Sequence, residues 1–258
     1  MIKNKEIIYE QPLNELIRVI IRLEHLLNQL AFYLSSTSDR HTQTIMQLII
    51  DLLNLLDRPD LKSKLTQEFT RLTTVLTQIP PSPSPINRKT LIAQIGELKR
   101  LSQYFLRTPG KIAQVLRENE FLASLRQYLM SPGGDSCIDA PHYFYWLNQS
   151  AETHQKQIQT WMKHAEEIQH ATTLLLKIVR DSAEPVETVA INGFYHASLD
   201  PQASVQLIRV TLPTDEKLYP EISAGRHRIS VRFVIPDMAK RPTQTKKDVS
   251  FKLTKCVI

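Results

Sequence analysis

An α+β fold is predicted by three features of the sequence. Apolar residues recur with a period near 3.6 from about residue 13 to residue 181, and after Pro185 the period shortens to 2. Six glycines in 258 residues never cluster into a loop that could cradle phosphate. The expectation is an N-terminal α-helical domain over residues 1–184, followed by a smaller, mainly antiparallel β domain over residues 185–258.

In the helical half, Leu13, Leu16, Ile17, Ile20, Ile21, Leu27, Leu30 and Leu34 mark the first helix. Pro12 suits its first turn, where a missing N–H costs nothing. A second helix is expected over about 39–57, and a third from Pro59 with Leu61, Leu65, Phe69, Leu72 and Leu76 on its apolar side. The run PPSPSP (80–85) cannot be helical and reads as a short, stiff, extended connection. Helical spacing resumes with Leu91, Ile95, Leu98, Leu101 and Phe105, and two shorter helices follow, split near RENE (117–120). SPGGDSCIDAP (131–141) is loop-like. The aromatic run HYFYWL (142–147) predicts a short strand joining the sheet. Helices are then expected over 151–163 and 165–181.

The β half offers four alternating stretches, VETVAINGFYHASL, SVQLIRVTL, RHRISVRFVI and KDVSFKLTK. On a strand, residues two apart point the same way and lie roughly 6.6–7 Å apart. RHRISVRF therefore aligns Arg226, Arg228 and Arg232 in a column, with Ile229, Val231, Phe233 and Ile235 inward. KDVSFKLTK repeats the scheme, with Val249, Phe251 and Leu253 inward and Ser250, Lys252 and Thr254 outward. If these two strands are neighbours, Lys252 joins the column.

The chain carries 32 Lys and Arg against 26 Asp and Glu, and residues 226–255 alone hold nine basic residues against two acidic ones. The basic character thus belongs to one segment, where an anionic partner is to be sought. Outward Lys and Arg also keep strand edges from aggregating, but a merely solvated face usually mixes signs.

Other chemistries find little support. The eight histidines include no pair three or four apart, so the helical two-histidine metal motif is absent. Cys137 and Cys256 make neither a disulfide framework nor a metal site, and Cys137 has no activating neighbour in sequence. Trp146 and Trp161 read as core aromatics. No enzyme, cofactor or metal is expected. The opening MIKNKEIIYEQPLNE lacks an apolar run long enough for a signal peptide, and IMQLIIDLLNLL (45–56) is too short and too polar to span a bilayer. The terminal KCVI leaves only two residues after Cys256, so it is no prenylation box. A cytoplasmic protein without membrane insertion is expected. From the residues alone, a protein-binding scaffold and a nucleic-acid binder stay open. The latter is disfavoured because the arginine face shows no interleaved exposed aromatics.

Several stretches together resemble the ZapD (Z-ring-associated protein D) family of bacterial division factors. They are YEQPLNELIRVIIRLEHL (9–26), LREN (116–119), SPGGDSCIDAPHYFYWL (131–147), INGFYH (191–196), LYPEISAGRHRISVRF (218–233) and SFKL (250–253). The resemblance implies a cytoplasmic homodimer, recruited to midcell, that binds the C-terminal tail of the tubulin-like protein FtsZ and bundles its filaments into the Z-ring. It further implies that Arg22, Arg117, Arg228 and Arg232 bind FtsZ, with Arg18, Arg226 and Lys252 as neighbouring candidates. It implies neither nucleic acid nor a cofactor. Three departures stand out: Glu120 replaces an expected basic residue after Arg117, Phe144 stands where some members carry histidine (His142 lies two earlier), and Cys137 replaces a cysteine pair. These thin the helical part of the charged surface and move weight to the β domain.

Overall fold

The structure, a computed structural model, describes residues 6–35, 41–80, 85–200 and 202–258. The chain has N-terminal helices followed by C-terminal antiparallel strands, and it forms two compact units, one of residues 19–175 and one of residues 1–18 with 176–258. The sequence reading missed the first element, strand β1 (Glu6–Pro12). Pro12 closes this strand instead of opening a helix. β1 lies at a sheet edge, where a residue without an N–H breaks no ladder. Helix α1 (Glu15–Ser35) starts three residues later, with the Asn14 side chain accepting the Ile17 N–H at 2.8 Å, a cap for one of the orphan donors.

The helical unit continues with α2 (Thr42–Leu56), α3 (Leu61–Gln78), α4 (Pro85–Arg107), α5 (Gln114–Arg117) and α6 (Glu120–Tyr128). The proline-rich connection at 80–85 falls largely outside the described residues. α2 turns Ile45, Met46, Leu48, Ile49, Ile50, Leu52, Leu53 and Leu56 into the core. Phe69 of α3 stacks on Phe105 of α4 with ring centroids 6.1 Å apart.

The expected strand at 142–147 is helix α7 (Pro141–Leu147). Proline at the first helical position presets the turn. Tyr143 and Trp146, three apart, are both buried while Phe144 and Tyr145 are exposed, a helical rather than an alternating pattern. Their rings join Phe121 of α6 and Trp161 of α8 (Ala151–Lys163), and the Trp146 indole donates to Gln157 at 2.8 Å. Aromatic richness suggested a strand, but packing against Phe121 and Trp161 selected the helix. α9 (Glu166–Arg180) closes the helical series.

The strands are β2 (Val186–Ala190), β3 (Phe194–Ser198), β4 (Val205–Pro213), β5 (Tyr219–Ala224), β6 (Arg228–Ile235), β7 (Thr243–Gln244) and β8 (Val249–Val257). They form one sheet in the order β1-β4-β8-β2 and another in the order β3-β6-β5, with β7 paired to β6, all antiparallel. VETVAINGFYHASL is therefore two strands in two sheets, joined by a tight turn at Asn192 and Gly193, both at positive φ (50° and 72°). Ile229, Val231 and Phe233 of β6 and Val249, Phe251 and Leu253 of β8 share one core, with the Phe233 and Phe251 rings 5.0 Å apart. Each such side chain contributes about 1.5–3 kcal/mol on burial. Slipping β6 by one residue would expose three of them and bury its arginines, so the core holds the charged face outward.

One inward and one outward assignment fail. Ile235 is 45% exposed while its neighbour Val234 is buried, and Thr254 is buried rather than outward. Ile235 ends β6, where alternation stops, whereas on β8 Thr254 and Cys256, two apart on one face, are both buried, so that face is covered toward the C-terminal part of the strand.

Candidate functional site

Arg228 and Arg232 share the outer face of β6, four residues and hence about 13 Å apart. Their environments differ. Arg232 faces Glu221 in register on β5, and its Nε donates to Oε2 at 3.0 Å. Arg228 is exposed and has no ion-pair partner among the described residues. Arg226 is also exposed but precedes the strand, in the β5–β6 turn, so the column has two arginines and a third at its head.

Lys252 does not join them. β8 belongs to the other sheet, where Lys252 stands opposite Glu187 on β2 and pairs with Glu6 at 2.7 Å. The Glu6 carboxylate holds the ammonium above its ordinary pKa. Sequence alternation fixes which side of a strand a residue occupies, but not which strand lies beside it.

On α1, Arg18 and Arg22 are one turn apart and both exposed. Arg18 lies 3.5 Å from Glu15, whereas Arg22 has no ion-pair partner among the described residues.

Arg117 is held differently again. Its side chain is only 14% exposed and is ion-paired to Asp57 at the end of α2. Arg126 Nη2 and Lys111 Nζ reach the same carboxylate at 2.8 Å and 3.1 Å. Hydrogen bonds from Arg117, then Arg126 and Lys111, hold the Asp57 carboxyl far below the usual carboxylate range. Arg117 Nη1 is buried and has no hydrogen-bond partner among the described residues. Asp57, Arg117 and Arg126 border a recess of about 320 Å³ whose apolar wall includes Leu53, Leu122 and Met130. With two guanidinium groups against one carboxylate in its lining, this recess is net positive.

Sequence reasoning missed Asp57 and Arg126, which reach Arg117 only through folding. It also missed Glu221, because Pro220 obscured β5, and Phe194, which the structure places opposite Arg232 on β3. Phe194 is 42% exposed, so the arginine face does carry an exposed aromatic, contrary to the sequence expectation. Among the described residues, no group of His, Cys, Asp and Glu has the makings of a metal site, and no helix is long and apolar enough to cross a membrane.

A family model described as ZapD, a cell division protein, matches residues 21–232. Relatives carrying the name cell division protein ZapD include one from Coxiella burnetii, 38% identical over 254 residues and 98% of each chain. Another, from Aromatoleum aromaticum, is 32% identical over 96% of each chain. A third, from Methylococcus capsulatus, is 32% identical over 98% of this chain and 99% of its own.

Proposed function

The chain belongs to the ZapD family of cell division proteins, and on that premise we propose that it is a non-enzymatic division factor that binds the C-terminal tail of FtsZ and crosslinks FtsZ filaments. The observation that carries this reading is the pair of exposed arginines on β6, Arg228 without an ion-pair partner among the described residues and Arg232 on the same face, held by the exposed Glu221. A guanidinium grips a carboxylate in two places and keeps its charge at any physiological pH. Arg22 and Arg226 are the other candidates with no ion pair among the described residues. Arg117 is committed to Asp57 and Lys252 to Glu6, so their share in binding is smaller.

Each exposed ionic contact is worth only about 0.2–1 kcal/mol, so a single site binds weakly and loses affinity in salt. Crosslinking then needs two sites per particle and many tails per filament, which makes a homodimer part of the function. Midcell recruitment from the cytoplasm follows from FtsZ binding, and no cofactor, nucleic acid or membrane insertion is needed.

Sedimentation of GTP-assembled FtsZ tests the reading, using full-length FtsZ, tail-deleted FtsZ and an Arg228→Glu/Arg232→Glu variant of this protein. Co-pelleting that requires both the tail and the arginines is expected. Dependence on the tail alone would move the site to the helical arginines, and no co-pelleting at low salt would reject the function.

A further inference from the structure

The outer face of the β3-β6-β5 sheet carries more than charge. The register aligns Phe194 with Arg232 and Glu221, His196 with Ser230 and Ser223, and Ser198 with Arg228. The Phe194 ring stacks on His196 with centroids 5.9 Å apart and planes 27° apart. Between this aromatic pair and Arg228 the side chains are small, and the face sinks into a shallow open depression of about 800 Å³.

We propose that this depression is a peptide groove in which an extended acidic segment sets a carboxylate on Arg228 and an apolar side chain on the Phe194–His196 stack. The proposal rests on the tail-binding reading above and adds an apolar determinant to it. Charge complementarity favours such an occupant: Arg228 has no ion-pair partner among the described residues to be displaced, while the ring surface of Phe194 is still open to water. Strand geometry sets the spacing of the ligand. His196 lies one row from Arg228 and Phe194 two rows, so the two subsites are on the order of 8–14 Å apart. An extended peptide spans that distance when its carboxylate and its apolar residue are about two to four positions apart.

Single-stranded nucleic acid also uses aromatic rings beside cations. Its phosphates repeat at every nucleotide, however, and would run against Glu221, whereas a peptide needs only one accessible guanidinium here.

Fluorescence anisotropy decides the matter, using a labelled synthetic FtsZ tail peptide and a version with its apolar residues changed to serine. Both are titrated into the wild-type chain, Phe194→Ala, Phe194→Tyr and Arg228→Gln, with circular dichroism and Tm confirming that each variant folds. Phe194→Ala is expected to weaken the natural peptide by about five- to tenfold, the scale of one lost aromatic contact, without altering its salt dependence. It should leave the serine peptide almost unaffected, and Phe194→Tyr should stay near wild type. Arg228→Gln should weaken both peptides and flatten the salt dependence. Wild-type affinity in Phe194→Ala, or equal losses on both peptides, would overturn the groove while leaving tail binding intact. Failure of the wild-type chain to bind the peptide would instead remove the reading beneath it. A dT oligonucleotide bound more tightly than the peptide at equal salt, with the same dependence on Phe194, would reassign the face and overturn the proposal.

Discussion

Arg117 and Arg228 are the same residue type in opposite circumstances, one largely buried against a carboxylate and the other open to solvent. Charge reversal should separate them. Arg228→Glu is expected to weaken tail-peptide binding by about tenfold, the order of one guanidinium–carboxylate bond lost and a repulsion gained, with an unchanged Tm. Arg117→Glu should lower Tm as well, because it sets two carboxylates together. Asp57→Ala should cost about 2–3 kcal/mol in urea unfolding, since it strands a guanidinium that burial has already stripped of water. The pH dependence has a definite sign. The folded-state pKa of Asp57 is depressed, so its stabilisation is complete above the unfolded carboxylate value of about 4 and is lost as pH falls toward the folded value. The stability gap between wild type and Asp57→Ala should therefore be widest near pH 7 and narrow progressively below about pH 4. A gap that stays constant to low pH would mean that packing, not charge, holds this cluster. None of this was legible in the sequence: Asp57 meets Arg117 and Arg126 across some 60 to 70 residues of chain.

At the scale of elements, periodicity revealed most helices and the inward face of β6, because a core on one side imposes a repeat that composition cannot hide. It failed where a local signal was ambiguous. HYFYWL has strand-like residues, yet Pro141 and the three-residue spacing of Tyr143 and Trp146 pointed to a helix. Asn-Gly at 192–193 is a strong turn signal, and reading it would have split β2 from β3 and put Phe194 and His196 on one face. Gly193 is where this turn is most demanding: its φ is 72°, and a Cβ there would lie 2.5 Å from the Thr245 carbonyl oxygen. Gly193→Ala is accordingly expected to destabilise by at least about 1–2 kcal/mol, because it adds a clash to a conformation that alanine resists. Since the turn leads directly into Phe194, tail-peptide affinity should fall together with Tm. A fully stable Gly193→Ala protein would show that the β7–β8 connection yields at little cost.

At the scale of the whole molecule, the proposed function asks for something a single site cannot supply. A particle with one weak tail site decorates a filament, and only a particle with two joins one filament to another. Valence and affinity must then separate under mutation. α2 turns its apolar residues inward, so the helices before the proline-rich connection leave few large apolar groups outside. Phe32 on α1, 69% exposed, is the clearest of them among the described residues. If this surface joins two copies, Phe32→Asp should shift the sedimentation coefficient of the protein from dimer to monomer at micromolar concentration. The monomer should bind the isolated tail peptide as wild type does, because Arg228 and Phe194 are untouched. It should nonetheless fail to increase pelleting of FtsZ at low speed, where only bundles sediment. Salt offers an independent handle on the same distinction: bundling raises weak contacts to the power of their number, so added salt should abolish it well before it abolishes peptide binding. A wild-type protein that sediments as a monomer and still bundles filaments would break the argument, and would require two distinct FtsZ sites on one chain.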